Sequence, residues 1–201
     1  MKFCVLMGSL RRDGNTAALL RPFLEECEAM DVEAETIWLC DKEIRPCLGC
    51  KACQDCLDGP GCVQKDDFEE TFQAMVNCDG IILATPIYAF FCTPPMKALL
   101  DRAIYAGKKN YGTQKGPALL GCQRVATIAP CGYPPERGAD LWEEGVKRFC
   151  RHGGLEYMGI FCRRDWGSRE PFMNEEREQA VRDFAQALTL AVRADSMAEL
   201  T

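Results

Sequence analysis

Apolar and polar positions along the chain predict strands and helices in alternation. The run Lys2-Phe3-Cys4-Val5-Leu6-Met7 is apolar and ends at a glycine, as a buried strand does. The stretch from 17 to 27 carries apolar residues at helical spacing. The same alternation continues to about residue 193. Such an order is typical of a parallel sheet with helices on both faces.

Four further strands and four further helices are predicted. The strands are Glu33–Cys40, Asp79–Thr85, Arg124–Ala129 and Leu155–Phe161. The helices start near Asp66, Pro94, Gly138 and Asn174. Asn174 has the side chain of a helix N-cap, and two glutamates follow it in the first turn, where the helix dipole favours acids.

The segment that joins the first strand to the first helix is rich in glycine and polar residues. At such a junction the free backbone N–H groups and the helix dipole favour an anion. Ser9, Asn15 and Thr16 add short donors, and Arg11 and Arg12 add positive charge. The sequence therefore predicts a phosphate-binding loop, in preference to an ordinary turn capped by Thr16.

Two common phosphate loops do not match this segment. Gly14 is followed by Asn15-Thr16, whereas the Walker loop needs Lys-Ser/Thr there, and the dinucleotide fingerprint Gly-x-Gly-x-x-Gly is absent. The segment resembles the FMN phosphate loop of flavodoxin-like NAD(P)H-dependent FMN reductases, Gly-Ser-x-Arg-x-x-Gly-Asn-Thr. The resemblance implies that FMN phosphate is bound by Ser9, Arg11, Gly14, Asn15 and Thr16.

The order of the predicted elements agrees with that resemblance. Five strands alternating with helices fit an α/β, flavodoxin-like three-layer sandwich, with a five-stranded parallel sheet of order 2-1-3-4-5 and helices on both faces. FMN then lies beyond the carboxyl ends of strands one and three. We expect one FMN-binding domain over residues 1–201, with a cysteine-rich insertion at about 46–62.

Strand three should therefore end in a loop that holds the flavin ring. It ends in Thr85-Pro86-Ile87-Tyr88-Ala89-Phe90-Phe91, which resembles the Ser/Thr-Pro-x-Tyr loop of the same family. The resemblance implies ring contacts from Pro86, Ile87, Tyr88 and Phe90. The alternative is an aromatic loop that caps the core. Phe90 and Phe91 are bulkier than the small residues expected there, which indicates a different ring pocket or subunit contact.

Strand four contributes a third loop, Pro130-Cys131-Gly132-Tyr133. In relatives the equivalent loop is short, carries glycine and lies beside the ring. Gly132 allows a close approach of the backbone. Cys131 and Gly132 are therefore expected at the cofactor.

Composition excludes several function classes. The 201 residues are 47% hydrophobic and 27% charged, as in a globular protein, and the net charge of −6 argues against a general nucleic-acid binder. No apolar run is long enough to span a bilayer, and the N-terminal run is too short for a secretion signal. We expect a cytoplasmic protein with most of its scattered cysteines buried and reduced.

Five of the 14 cysteines fall between residues 47 and 62. Cys47, Cys50, Cys53 and Cys56 follow one another at every third position, and Cys62 closes the stretch. Side chains at this spacing cannot all enter the core, whereas thiolates can converge on one metal or cluster. The stretch resembles the compact cysteine motif of the iron–sulfur flavoproteins, relatives of the reductases that bind a [4Fe-4S] cluster.

Two ligand sets are compatible with this motif. The flanks Pro-Cys-x-Gly-Cys and Cys-Val-x-x-Asp-Asp favour Cys47, Cys50, Cys53 and Cys62, while the alternative set replaces Cys47 by Cys56 and has a shorter final gap. Cluster-free reductases also carry Cys-x-Gly-Cys-x-x-Cys, so free thiols, a disulfide and zinc remain alternatives.

Together the motifs predict an FMN oxidoreductase to which reduced nicotinamide, NADH or NADPH, delivers hydride. The acceptor would be a quinone, a metal, free flavin or the cluster. The alternative is an electron carrier with FMN and a [4Fe-4S] cluster that exchanges electrons with a ferredoxin-like partner, and a third class is a binding module with a structural metal. No acid–base residue is assigned, because the flavin carries the reactivity. Relatives suggest a homodimer or homotetramer.

Overall fold

A parallel sheet of five strands runs through the protein, in a computed structural model that describes residues 1–109, 116–121, 123–167 and 171–198. Its order is β2-β1-β3-β4-β5, which confirms the predicted order. The strands are β1 Lys2–Met7, β2 Glu33–Trp38, β3 Gly80–Ala84, β4 Arg124–Cys131 and β5 Glu156–Arg164. The helices are α1 Asn15–Ala29, α2 Phe68–Val76, α3 Pro94–Gly107, α4 Pro135–Gly138, α5 Asp140–Gly153 and α6 Glu175–Ala198.

Alternate residues of the central strands enter two separate cores. In β1, Phe3 and Val5 pack with α1 and α6 on one face of the sheet, while Cys4 and Leu6 pack with α2, α3 and α5 on the other. Burying both faces explains why β1 and β3 are almost continuously apolar. Of the eight scattered cysteines that the structure describes, seven are buried, as expected, and Cys40 is exposed, while Cys122 lies outside the described residues.

The ends of β2, β4 and β5 differ from the sequence prediction, and β5 continues past Phe161 to Arg164. Strand β2 stops at Trp38, because the chain turns into a 3-10 segment at Leu39–Asp41 that buries Leu39. Strand β4 continues through Pro130 to Cys131, since the Pro130 carbonyl accepts a hydrogen bond from the Ile87 N–H although proline has none to donate.

The helices that cover β5 start and stop at recognisable residues. Gly154, with φ of +78°, ends α5 in the left-handed conformation that glycine adopts freely. Asn174 caps α6, as predicted, and accepts a hydrogen bond of 2.9 Å from the Arg177 N–H. Within the described part of the chain, no helix is sufficiently long and apolar to cross a membrane.

The cysteine-rich insertion leaves the fold after β2 and returns at the start of α2. Two pairs of residues join the two ends of the insertion by hydrogen bonds. Glu43 and Asp67 are joined by hydrogen bonds of 2.7 and 2.9 Å, and the Arg45 N–H donates to Asp66 Oδ2 at 3.0 Å. The cysteines of the insertion therefore lie in a closed segment beside α3.

Candidate functional site

A cavity of about 370 Å³ lies where β1, β3 and β4 end. This is the switch point at which parallel sheets of this order bind ligands, and the volume is in the range of small-molecule sites. The lining residues are Ser9, Arg11, Gly14, Asn15, Thr16, Pro86, Ile87, Tyr88, Pro130, Cys131, Gly132 and Asp165.

Every residue that the sequence assigns to FMN lines this cavity except Phe90. Phe90 is 41% exposed and stacks on Tyr133, with 5.8 Å between the ring centroids. Pro130 and Asp165 were not predicted. Asp165 directly follows β5, so a correct end for that strand would have placed it at the same edge of the sheet.

The loop after β1 is shaped to receive an anion at the start of α1. Gly14 is the N-cap residue and offers no side chain to the first N–H groups of the helix, which have no partner inside a helix. Asn15 and Thr16 form the first turn and border the cavity, so Thr16 is not the cap. Ser9 Oγ accepts from the Arg11 N–H at 3.2 Å and holds the loop together.

The two arginines of this loop have different surroundings. Arg11 folds back over Gly14, where an added Cβ would lie 3.1 Å from Arg11 Nε, and it lines the cavity. Arg12 points elsewhere: it pairs with Asp41 and lies 4.2 Å from the centre of the Trp38 ring. The hydrogen bond from Arg12 lowers the pKa of Asp41. Of the two, Arg11 is the one available to a phosphate in the cavity.

The last residue of β5 and the residue after it brace the far wall of the cavity. Asn15 Nδ2 donates to Asp165 Oδ2 at 2.7 Å, and the Asp165 N–H donates to the Cys131 carbonyl at 2.7 Å. Arg164 Nε donates to the Gly132 carbonyl at 3.1 Å. The first turn of α1 and the end of β4 are thus joined through one carboxylate residue.

The loop after β3 contains a strained turn. Tyr88 and Phe91 exchange backbone hydrogen bonds of 2.9 and 3.0 Å across Ala89 and Phe90. Both central residues have positive φ, +48° and +70°, as in hairpin turns that usually contain asparagine or glycine. Backbone strain of this kind is typical of functional loops. Here the strained turn carries Tyr88 at the cavity and Phe90 at its rim.

The loops after β1 and β3 approach each other closely at Gly8. Thr93 Oγ1 donates to the Gly8 carbonyl at 2.7 Å. A Cβ added to Gly8 would lie 2.9 Å from Thr93 Oγ1 and 3.1 Å from Thr85 Oγ1. Glycine is therefore required sterically at this position, which fixes the relative placement of the two loops.

A second, smaller cavity of about 60 Å³ lies inside the insertion. Cys47, Cys50, Cys53 and Cys62 all line it, together with residues of α3. Cys56 does not, and its Sγ lies 3.6 Å from Asp58 Oδ1 instead. The structure thus groups the preferred ligand set and leaves the spare cysteine outside.

Arg102 of α3 reaches into the wall of this cysteine cavity. It is only 2% exposed, and it donates to Asp66 Oδ2 at 2.7 Å and to Cys62 Sγ at 3.2 Å. Burial raises the pKa of Asp66, but hydrogen bonds from Arg102 and from the Arg45 and Phe68 N–H groups outweigh it and lower the pKa to about 2. Arg102 is therefore held as a buried cation beside Cys62.

The other side of the insertion is fastened to the end of α3 by two long side chains. Lys109 is 1% exposed, and its Nζ donates to the carbonyls of Cys53 at 2.8 Å and Pro60 at 3.2 Å. Gln54 Nε2 donates to the Tyr105 carbonyl at 2.6 Å. Burial lowers the pKa of Lys109. Side chains of α3 and the residues after it thus set the shape of the cysteine segment.

The donor set of the insertion can be tested against the metals it was predicted to bind. Over the described ranges, no three His, Cys, Asp or Glu side chains converge closely enough to hold one ion, and the four cavity cysteines are free thiols. Structural zinc needs its ligands around one centre. A four-iron cluster is held by four thiolates, one on each iron, so its sulfurs surround a volume. The four cysteines line one cavity without converging on one point, an arrangement that does not suit structural zinc.

The sheet order and the cavity at the strand ends are those of the flavodoxin-like class of fold. A family profile described as NADPH-dependent FMN reductase matches residues 1–124. The chain belongs to this family, and the predicted resemblance is confirmed.

Two curated relatives are iron-sulfur flavoproteins. The protein from Methanocaldococcus jannaschii is 39% identical over 103 residues, which are 51% of this chain and 52% of that protein. The protein from Methanosarcina thermophila is 34% identical over 111 residues, 55% of this chain and 56% of the relative. The chain spans about half the length of the curated relatives it matches.

A solved structure supports the fold over nearly the whole chain. An FMN-dependent NADH-azoreductase from Bacillus anthracis, in complex with FMN, superimposes with a TM-score of 0.71 and covers 94% of this chain and 99% of that one. Because the two sequences are only 16% identical, the similarity establishes the flavodoxin-like fold and nothing finer.

Proposed function

We propose that the protein is an FMN-dependent oxidoreductase that takes electrons from NADH or NADPH. One observation carries the proposal: three loops far apart in sequence, two assigned to FMN from their motifs and the third from its place after strand four, surround one cavity at the strand ends. An aromatic loop that merely capped the core would not need the phosphate loop beside it. Family membership supports the same cofactor.

Different residues of the cavity would contact different parts of FMN. The first turn of α1, Ser9 and Arg11 would hold the phosphate, because backbone N–H groups at a helix start and a guanidinium both favour a dianion. The backbone of the loops after β3 and β4 would border the ring. A Cβ at Gly132 would meet no protein atom within 4 Å, so this backbone faces open cavity.

Bound FMN supplies hydride and electron transfer, while the protein binds and orients it. Asp165 orients the Asn15 amide by accepting its hydrogen bond. Among the described residues that line the cavity, this carboxylate is the one acidic group, so it disfavours a second anion near the phosphate. No side chain of the cavity is assigned a proton transfer.

Two measurements on the purified chain test the proposal. Protein from which FMN has been removed should regain a flavin spectrum when FMN is added. The protein with bound FMN should then oxidise NADH or NADPH in steady state. A stripped chain that stays folded and fails to bind FMN would remove the proposal. A comparison of the two nicotinamides then gives the donor preference.

The second candidate function is that of an electron carrier with FMN and a [4Fe-4S] cluster. The observation in its favour is the cavity lined by Cys47, Cys50, Cys53 and Cys62, with Cys56 outside. Iron counting on anaerobically prepared protein tests it, and fewer than about two irons per chain excludes a complete four-iron cluster. A carrier that loads FMN and iron but barely oxidises NADH or NADPH would use a ferredoxin-like donor.

We further propose that the protein is a cytoplasmic homodimer or homotetramer. Tyr88 and Phe91 are more than half exposed and Phe90 is 41% exposed, so the rim of the FMN cavity is an apolar surface that a neighbouring subunit can cover. The free thiols suit a reducing compartment. A single monomer mass in solution scattering would contradict the assembly.

A further inference from the structure

Two cysteine thiols meet beside the FMN cavity, at the ends of neighbouring strands. Cys131 Sγ and Cys162 Sγ are 3.4 Å apart. Cys131 is the last residue of β4, and Cys162 of β5 pairs with Ala129, two residues before Cys131. The two side chains therefore lie on the same face of the sheet, where both are buried.

The distance between the sulfurs is close to what a disulfide requires. An S–S bond is about 2.05 Å long, so the sulfurs need to approach by roughly 1.4 Å. Both thiols are free. Their neighbours in the same cluster are apolar, Ala129, Ala139 and Ile160 among them. Cys131 is at the end of its strand, next to a bend, where the backbone can follow such an approach.

The hydrogen bonds give the two thiols different roles. Cys131 Sγ lies 3.0 Å from the Tyr133 carbonyl, to which its thiol donates, so Cys162 is left as the donor between the two sulfurs. That hydrogen bond, with the nearby positive charge of Arg164, lowers the pKa of Cys131, and the same contact raises the pKa of Cys162. Cys131 lines the strand-end cavity and Cys162 does not line it, so Cys131 is the thiol that a small oxidant meets first.

We propose that Cys131 and Cys162 form a redox-active dithiol whose oxidation to a disulfide lowers the affinity of the adjacent cavity for FMN. The formation of the disulfide depends only on the observed positions of the two thiols. Its effect on affinity rests on the proposed function.

Hydrogen peroxide is the oxidant, and it reaches Cys131 from the cavity that this residue lines. The Cys131 sulfur attacks one peroxide oxygen, so an S–O bond forms, the O–O bond breaks and one water leaves. The Cys162 sulfur then attacks the Cys131 sulfur, so the S–S bond forms, the S–O bond breaks and a second water leaves. The two thiols lose two electrons and two protons, and the peroxide gains them. A dithiol reductant reverses the reaction by exchange.

The disulfide acts on the cavity through the backbone of Cys131. The Cys131 carbonyl accepts the Asp165 N–H at 2.7 Å, and Asp165 holds Asn15 at the start of α1. Drawing Cys131 towards β5 shifts this carbonyl and the following Gly132, both of which border the cavity. Oxidation therefore disturbs the phosphate end and the ring end together.

The first experiment identifies the cross-link without any flavin measurement. The reduced full chain is treated with an equivalent of hydrogen peroxide, its free thiols are alkylated, and its peptides are mapped by mass spectrometry. We expect one cross-linked pair of peptides that joins Cys131 to Cys162. In Cys162→Ser, or in Cys162→Ala should the first variant not fold, the cross-link is absent and Cys131 is trapped as a sulfenic acid adduct.

The chain provides its own control for this experiment. Cys4 and Cys78 are a second pair of buried thiols in contact, and neither lines the strand-end cavity. They should remain alkylatable after the same treatment. Recovery of Cys131 and Cys162 as free thiols, while the cysteines of the insertion are oxidised, would overturn the proposal.

The second experiment measures FMN affinity in both redox states. We expect the FMN dissociation constant to rise at least about fivefold on oxidation and to recover with a dithiol. Cys162→Ser, treated identically, should show no such change and so controls for oxidation of the insertion. Equal affinities would overturn the coupling. A cross-linked chain that binds FMN in neither state would overturn the proposed function instead and leave the dithiol established.

Discussion

The two candidate sites are built in different ways. The strand-end cavity is assembled from loops that begin at strand ends, and backbone hydrogen bonds join them: the Gly8 N–H donates to the Ala84 carbonyl and the Ile87 N–H to the Pro130 carbonyl. The cysteine cavity lies in an irregular segment that long side chains fasten to the end of α3. The first site is positioned by the fold, and the second by a few individual residues.

The difference implies different sensitivities to mutation. Removing one side chain from the strand-end cavity should change what binds there and leave its shape intact. Removing a buried charged side chain beside the insertion should disturb the segment itself, because a buried partner loses its hydrogen bonds. The predictions below test this contrast.

The largest effect is expected for Arg102→Met. Arg102 is fully buried against Asp66, whose side chain has no exposed surface. Loss of the guanidinium leaves the buried carboxylate with Arg45 Nε, at 3.3 Å, as its remaining charged partner, so the free energy of unfolding should fall by about 3 kcal/mol, the lower end of the range for breaking a buried ion pair. Chemical denaturation at neutral pH measures it.

Lys97→Met in the same helix is the matched control. Lys97 pairs with Asp101 four residues on, but both side chains are exposed, so its loss should cost no more than about 0.5 kcal/mol. Equal costs for the two variants would mean that the insertion does not depend on the buried pair, and the contrast between the sites would be lost.

The pH dependence of the same variant gives an independent check. The folded pKa of Asp66, about 2, is below the usual 3.8, so its contribution to stability is present above pH 3.8 and is lost as the pH falls towards 2. Without the Arg102 guanidinium the pKa of Asp66 is lowered less, so the variant loses less stability on acidification than the unchanged protein does. The difference in unfolding free energy between the unchanged protein and Arg102→Met should therefore narrow below pH 3.8. A constant difference would contradict the assignment of Arg102 as the partner of Asp66.

The next effect concerns binding alone. Arg11→Ala should weaken FMN binding by about 1.5–3 kcal/mol, the range of a charge-assisted hydrogen bond, which is roughly ten- to hundredfold in dissociation constant. The loss should be much smaller for riboflavin, which has no phosphate. Paired titrations of the stripped variant with both flavins measure it.

Arg12→Ala is the control in the neighbouring position. Its guanidinium is engaged with Asp41 and Trp38, outside the cavity, so both flavins should bind as to the unchanged protein. Equal losses for FMN and riboflavin in Arg11→Ala would mean that Arg11 supports the ring or the fold and that the phosphate lies elsewhere.

The contrast between the sites also explains what the sequence could predict. Strand ends follow from apolar runs, and sheet order then brings Ser9, Pro86 and Cys131 to one edge, so the cavity could be assembled before the structure was known. The side chains around the cysteines could not be predicted, because Arg102 in α3 and Lys109 just after it lie 40 and 56 residues beyond the cysteines that they contact. Spacing alone suggested metal ligands and left open whether Cys47 or Cys56 belonged to them.

The local geometry of the turn after β3 could not be predicted from the sequence either. A tyrosine, an alanine and two phenylalanines after a strand carry no sign of a turn with two positive φ values, since such turns favour asparagine and glycine. The resemblance of this loop to the family's ring loop implied that Phe90 contacts the flavin, whereas the turn directs its ring against Tyr133, outside the cavity lining. The approach of Cys131 and Cys162 depends on the register of β4 and β5, which the sequence does not specify.

The smallest effect is expected for Ala89→Gly. A left-handed conformation costs a non-glycine residue about 1–2 kcal/mol, and glycine loses about 0.5–1 kcal/mol through its freer unfolded chain, so the substitution should stabilise the protein by roughly 0.5–1 kcal/mol. Ala98→Gly, in the interior of α3, should destabilise it by about 1 kcal/mol. If thermal unfolding shows that Ala89→Gly stabilises the protein and Ala98→Gly destabilises it, the backbone strain lies in the turn at the cavity. Destabilisation of equal size in both variants would mean that the turn is relaxed, and that the strand-end cavity owes its shape to backbone pairing alone.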